Sequence, residues 1–286
     1  MGNQQNTLWE QFLKPIVRSW IDEDQLQRFA KSVDWETECD RLANPQLIYP
    51  AYYQSQNFHG IEGGYLTPGA AVSYDPITQY FLPPNETWVR QAAIDKIGGS
   101  PRRILDLGCG TGSTTLLLKQ AFPDAEVIGV DLSPYMLFMA DYKAKQQQLS
   151  IRWKHAKAEA TGFPEASFDV VTASLLFHEI PVSTAQTILA EAFRLLTPGG
   201  QIIILDGNQE TLHQTAWLTE IFEEPYIKEY AQGSLNQWLQ VAQFVAVQTQ
   251  GLWWIHQISS GRKPLPVQSL DWQTQEVPWE SLHPAF

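Results

Sequence analysis

The chain is poor in cysteine: Cys39 and Cys109 are the only two among 286 residues. One pair cannot make a disulfide framework, so a reduced, cytoplasmic setting is expected. Basic residues are also scarce, 19 Lys+Arg against 31 Asp+Glu, which leaves a formal charge of −12. Such an acidic surface repels a phosphate backbone and argues against nucleic acid as a partner. No apolar run is long enough to span a bilayer, and the opening MGNQQNTLWEQFLKP lacks the basic-then-apolar order of a leader peptide. Gly2 is not followed by Ser or Thr at position 6, where Asn6 stands, so the acylation pattern fails too. Three other signals are missing: metal-ligand spacing of His, Cys and carboxylates, a nucleophile elbow, and internal repeats. No metal is therefore expected.

What is present is apolar and aromatic: 44% hydrophobic residues, 12% aromatic, and 11 Trp. That is enough for a large core or a walled pocket in one or two domains. Residues 1–98 read as a helical and irregular cap. Leu8, Trp9, Phe12, Leu13, Ile16, Val17, Trp20 and Ile21 recur at helical spacing, and a second helix follows Asp22-Glu23-Asp24. The stretch YPAYYQSQNFHGIEGGYLTPGAAVSYDP (49–76) looks too irregular for a core element, and residues 40–98 are expected to form a lid.

Residues 99–260 alternate strands and helices. Strands are expected at 104–107, 126–131, 151–155, 168–173 and 202–206, and helices at 113–122, 134–149 and 183–196. The turn TPGG (197–200) precedes the fifth strand. VAVQTQ and LWWIHQISS flank Gly251 as the arms of a terminal hairpin, and 261–286 forms a tail. The fold class that follows is α/β: a Rossmann-like doubly wound sheet, mostly parallel, with an antiparallel C-terminal hairpin strand and an N-terminal helical cap.

The most informative stretch is RILDLGCGTGSTTLLL (103–118), a strand, a glycine loop and a helix in sequence. A phosphate-binding P-loop would end in Gly-Lys-Ser/Thr, and here Gly112-Ser113-Thr114 has no lysine. A dinucleotide loop expects G-x-G-x-x-G, whereas the glycines stand at 108, 110 and 112. Asp106 would also repel a pyrophosphate, by about 1 kcal/mol or more in a partly dry cleft. A ligand with a cationic amine and no phosphate is favoured, and S-adenosylmethionine (SAM) is of that kind. Asp131 ends the second strand about 20 residues past the loop, where an acid meets ribose hydroxyls in such folds. A nucleotide-dependent oxidoreductase is the rival reading.

LDLGCGTG (105–112), VIGVDLS (127–133), EASFDVVTASLLFHEI (165–180) and EAFRLLTPGGQIIILD (191–206), in that order, resemble the class I SAM-dependent methyltransferases. The likeness covers roughly residues 70–258 and is strongest to the ubiquinone and menaquinone biosynthesis branch. The resemblance implies an enzyme that moves a methyl group from SAM to carbon or oxygen of a small apolar or aromatic acceptor, quinone-, phenol- or lipid-like. The non-catalytic alternative is a SAM sensor or scaffold.

It also implies roles for particular residues. Asp106 would hold the methionine ammonium through the loop or a water. Gly108, Cys109 and Gly110 would bring backbone up to the cofactor. Asp131 would take the ribose hydroxyls and Leu132 would pack on adenine. The adenine contact would fall to Ala158 or Glu159, because Lys157 replaces the family's usual aspartate and would lay its stem along the ring. Ser174 and Leu175 would sit near the sulfonium, with Tyr74 closing over the cofactor. His178 is the candidate general base, against a competing reading as a helix-entry residue. His59 and Glu62 are weaker candidates of that kind, and Tyr226 and Tyr230 are candidates for the acceptor pocket. Residues 50–80 are expected to order over the site when SAM binds.

Overall fold

The structure, a computed structural model, describes residues 22–54, 63–81, 85–215 and 225–266. The apolar stripe at 8–21, His59, Glu62 and the tail beyond 266 lie outside the described residues.

Seven strands form one sheet: β1 Arg103–Leu107, β2 Glu126–Asp131, β3 Arg152–His155, β4 Phe168–Ser174, β5 Leu196–Gly207, β6 Val245–Leu252 and β7 His256–Arg262. Their spatial order is β3-β2-β1-β4-β5-β7-β6. The first five run parallel, and β7 is antiparallel to both its neighbours. The inner strands are almost wholly buried, with helices covering both faces. Strand order reverses between β1 and β4, the place where open α/β sheets leave a crevice at their carboxyl ends.

The sequence reading and the structure differ at three places. Gly251 is not the hairpin turn: it is a strand residue paired with Gln257, and the chain reverses at 253–255 with Trp253 at φ 47°. The TPGG stretch is absorbed into β5, whose pairing with β4 shifts register between Phe168 and Val170. The lid stretch is also less irregular than it reads, because Pro68–Phe81 is helical despite Gly69 and Pro76. Burial of Ala70, Ala71 and Val72 supplies what local propensity does not.

The described cap helices are α1 Glu23–Ser32, α2 Trp35–Leu42, α3 Ala51–Gln54 and α4 Pro68–Phe81. Asp22 and Asp34 cap the first two, accepting from the amides of Gln25 and Thr37. Next comes α5, Glu86–Ile94. It falls within the stretch read as lid, yet its Val89, Ala93 and Ile94 pack with Ile104, Val127, Val170 and Ile203 of the sheet. The first parallel crossovers are α6 Ser113–Ala121 and α7 Pro134–Gln146, and α8 is Val182–Leu195.

Helix α7 begins as its sequence suggests, with Pro134 in the first turn and the Ser133 hydroxyl accepting from the Met136 amide at 3.2 Å. It is buried on opposite sides. Leu137, Ala140 and Ala144 are covered, and Met136, Phe138 and Met139 join Tyr65, Ala70, Ala71 and Val72 in a second core shared with the cap. The remaining described helices are α9 Gln209–Gln214, α10 Ile227–Ala231 and α11 Leu235–Val241.

Candidate functional site

The crevice is a cavity enclosing about 800 Å³ of empty space, including its open mouth. Gly108, Cys109 and Gly110 make its floor, while Asp131, Leu132, Ala156 and Ala158 make one end. Ser174, Leu175 and Leu176 rise from the end of β4, and the cap contributes Tyr52, Tyr53, Tyr65 and Tyr74. The loop geometry requires glycine at two of its positions. Gly108 has φ 63°, and a Cβ there would lie 2.8 Å from Leu176. Gly112 has φ 80°, and its Cβ would meet Ala140 and Trp153 at 2.9 Å.

Asp131 is built into this floor. One oxygen accepts the Gly110 amide and the other the Ser133 amide, each at 2.8 Å. Burial pushes its carboxyl up to about 6, against the pull of those two amides, with Glu179 nearby adding to the rise. Asp106 lies deeper and is not a wall residue. Its oxygens accept from Thr115 at 2.6 Å and Thr172 at 2.8 Å, and burial raises its carboxyl above the usual range. Its negative charge therefore acts on the cavity from beneath the loop.

Nine of the residues singled out from the sequence line the cavity: Tyr74, Gly108, Cys109, Gly110, Asp131, Leu132, Ala158, Ser174 and Leu175. Asp106, Glu159 and His178 do not. Glu159 follows Ala158 in the chain and hydrogen-bonds the wall residue Tyr52, while its Oε2 is buried with no hydrogen-bond partner among the described residues. Lys157 is not on the wall either; the residues before and after it, Ala156 and Ala158, are. The lysine stem therefore does not lie along the cavity, and this departure from the family pattern leaves the wall itself intact.

His178 sits on a short 3₁₀ turn, Phe177–Glu179, with its Nδ1 2.6 Å from Asp206. Asp206 is fully buried and also accepts the amides of Phe177 and Gly207 at 2.7 Å. A carboxylate so held fixes which ring nitrogen of His178 carries its proton. The side chain is 3.9 Å from the wall residue Glu179. Tyr230 is a core residue: it is fully buried, its hydroxyl donates to the Gly207 carbonyl at 2.7 Å, and its ring meets His178 edge-on. Tyr226 precedes α10 and is not among the wall residues.

The sequence reading missed Arg90 and three of the four cap tyrosines, Tyr52, Tyr53 and Tyr65. Arg90 lines the cavity, and it is buried with Nε on Glu86 at 2.8 Å and Nη1 on Thr114 at 2.7 Å. The available signal was an arginine four residues after a glutamate on the apolar face of a helix, a place a charge occupies only when partnered. Tyr65 donates its hydroxyl to Glu179 at 2.8 Å across 114 residues of sequence, a link with no local signature.

The cap is tied down by polar contacts around this rim. Asp75 accepts from Thr111 at 2.5 Å and Ser113 at 3.3 Å, and pairs with Lys143 of α7 at 2.5 Å. The Asn44 amide donates to His155 Nδ1 at 2.8 Å, the other ring nitrogen faces the Leu132 carbonyl, and burial holds the imidazole below its ordinary pKa. Among the described residues no group of three His, Cys or carboxylate side chains is placed to hold a metal, and no helix is long and apolar enough to cross a membrane.

Residues 104–200 match the family model described as a methyltransferase domain. The demethylmenaquinone methyltransferase of Deinococcus radiodurans is 42% identical over 119 residues, covering 42% of this chain and 48% of that protein. The trans-aconitate 2-methyltransferase of Methylobacterium radiotolerans is 40% identical over 105 residues, 37% of this chain and 38% of that protein. The chain thus spans about half the length, or less, of these curated relatives. Among solved structures, a phosphoethanolamine N-methyltransferase 2 of Haemonchus contortus in complex with SAM has the same fold. Its TM-score is 0.58 at 15% identity, over 78% of this chain and 61% of that one. Residues 104–200 thus match a methyltransferase domain, and the chain shares the fold of solved SAM-dependent methyltransferases.

Proposed function

We propose that this protein is a SAM-dependent methyltransferase acting on carbon or oxygen of a small apolar or aromatic acceptor. The observation that carries the reading is Asp131, a buried carboxylate fixed by two backbone amides at the wall of a phosphate-unfriendly cavity. The residues present fit the cofactor. Asp131 would take the ribose hydroxyls, Leu132, Ala156 and Ala158 would flank adenine, and Arg90 would face the methionine carboxylate. Glu159, with its unsatisfied buried oxygen, is the nearest acid for the adenine amine.

When bound, SAM supplies an already activated methyl group, so the chain's task is alignment and water exclusion. The four cap tyrosines enclose the cavity, and the described parts of the lid, residues 50–54 and 63–80, close over the site. His178, oriented by Asp206, would accept the acceptor's proton at Nε2, although that nitrogen stands off the wall, 3.9 Å from the wall residue Glu179. The tyrosine-rich wall and the demethylmenaquinone methyltransferase relatives support an uncharged aromatic acceptor of quinone type, and the acidic surface disfavours nucleic acid.

Calorimetry with SAM, its demethylated product S-adenosylhomocysteine (SAH) and NAD(H) tests the cofactor. SAM should bind, and Asp131→Ala should weaken it about a hundredfold or more, given two charge-assisted hydrogen bonds lost. Binding of NAD(H) with no response to SAM overturns the reading. Incubation with methyl-labelled SAM and a cell extract should place label in a small molecule, whereas label found only in macromolecules refutes the acceptor class.

A further inference from the structure

One buried imidazole with no part in the proposed chemistry joins the adenine end of the cavity to the cap. His155 closes β3, one residue before the wall residue Ala156, and is 4% exposed. Its Nδ1 accepts the Asn44 amide at 2.8 Å, so the one proton of the neutral ring sits on Nε2. That Nε2 donates to the carbonyl of the wall residue Leu132 at 2.8 Å, and the Tyr49 hydroxyl lies 3.2 Å from the same nitrogen. Tyr49 in turn stacks on the wall residue Tyr53, with ring centroids 6.3 Å apart and planes 8° from parallel. Asn44 and Tyr49 belong to the cap segment between α2 and α3, so a single ring fastens that segment to the backbone around Leu132 and Ala156.

This fastening exists in one protonation state only. A proton added at Nδ1 sets one N–H donor against another, and the Asn44 amide loses its acceptor. The titratable groups around the ring and the Tyr49 hydroxyl do not offset that loss. Burial raises Tyr49 of the cap, Cys39 of α2 and Tyr135 of α7, which keeps all three neutral. Asp131, the register partner of His155 in β2, has its oxygens on the Gly110 and Ser133 amides. Lys154, the charged neighbour on β3, holds its ammonium over the Phe163 ring. Resting on the SAM reading, we propose that neutral His155 is a positioning residue that couples cofactor binding at the adenine end to engagement of the cap, so that protonating this one imidazole loosens both. Adenine set against Leu132 and Ala156 under a closed cap favours the neutral ring, and by reciprocity the neutral ring favours the ligand. Burial already lowers this imidazole below its ordinary 6.5. The coupling is therefore fully present above pH 6.5 and is lost as pH falls through the lower folded value.

Asp131, brought to about 6 by burial, titrates in the same range, so the test reads His155 itself. Histidine side-chain NMR of the full chain, with and without saturating SAH, gives the midpoint of its imidazole. SAH should move that midpoint down by about one pH unit, the equivalent of about tenfold weaker binding to the protonated form. Amide exchange should show residues 44–54 gaining protection from SAH at pH 7.5 and losing most of that gain at pH 5. His155→Gln, whose amide can accept from Asn44 and donate to Leu132 without titrating, should lose about threefold less SAH affinity than wild type between those two pH values. An unchanged His155 midpoint overturns the proposal without any variant, as does SAH binding at pH 7.5 with no added protection of 44–54. A full wild-type pH response in His155→Gln overturns it as well, and each of these results leaves the SAM reading standing. Failure of both SAM and SAH to bind at pH 7.5 overturns the SAM reading and this inference together.

Discussion

On the sheet side of the cavity, the wall rests on close-packed aliphatic side chains: Leu105, Leu107, Val130, Val171, Ile188 and Leu189 are all essentially inaccessible to solvent. On the cap side it rests on α4, whose Ala70, Ala71 and Val72 are buried, and on helices with little buried surface of their own. None of the residues of α1 is fully buried, and only Cys39 of α2 is. What holds the cap is its shared core with α7 and a ring of polar contacts: Arg41 to Asp141, Asn44 to His155, Tyr65 to Glu179 and Ser133, and Asp75 to Lys143 and Thr111. Apolar packing is cooperative and indifferent to pH, whereas hydrogen bonds and half-exposed ion pairs open locally at modest cost. The side that must admit and release ligands is therefore the one held by contacts that can open.

The difference can be measured, starting with its largest expected effect. Leu189→Ala, in the sheet core, should lower global stability by about 3 to 4 kcal/mol in denaturant melts. A loss below about 1 kcal/mol would mean that the sheet side is no better packed than the cap. Acid should come next. His256 is buried in β7 with both ring nitrogens unpartnered among the described residues, and burial lowers its pKa from 6.5 to about 4. The folded pKa is below the unfolded one, so the neutral imidazole is fully accommodated above pH 6.5 and stability falls as pH drops toward 4, by about 3 kcal/mol at pH 4. His256→Phe should flatten that dependence in melts between pH 7 and 4. His155 shifts the same way, so protonation below its ordinary pKa should break the Asn44 contact and loosen the cap.

Smaller effects should appear only on the cap side. Asp75→Asn keeps the shape but removes the ion pair with Lys143. It should cost about 1.5 kcal/mol locally, read as roughly tenfold faster amide exchange in 68–81 with little change in the sheet. Equal acceleration in both halves would show that the cap does not open by itself. The smallest change is expected for Arg41→Met. Arg41 pairs with Asp141 at 2.6 Å but is 44% exposed, so removing it should cost about 0.5 kcal/mol or less, and less still at high salt.

The same division explains what the sequence disclosed. Strands β1, β2 and β4 were legible because strands buried on both faces read as apolar runs, and the glycine loop because backbone at φ 63° and 80° narrows the choice of residue. Asp131 was legible from its distance to that loop. Glu179 and Tyr65 were not, since they acquire meaning only from each other across 114 residues, and Arg90 offered no more than its spacing from Glu86. The hairpin turn was misplaced because Gly251 offered a turn signal that strand pairing overrode, moving the reversal to Trp253, a residue type with no preference for positive φ.

Helix α7 belongs to both regimes, turning Leu137, Ala140 and Ala144 to one side while Met136, Phe138 and Met139 join the cap's core. It therefore sets where this protein can be cut and recombined. A chimaera joined in the linker between α5 and β1 would set a foreign cap on a helix whose outer stripe was shaped for another, stranding methionines and a phenylalanine against the wrong surface. The workable seam runs lengthwise along the helix. Exchanging caps between relatives means transplanting residues 23–81 together with positions 136, 138 and 139, and leaving the intervening inward residues native.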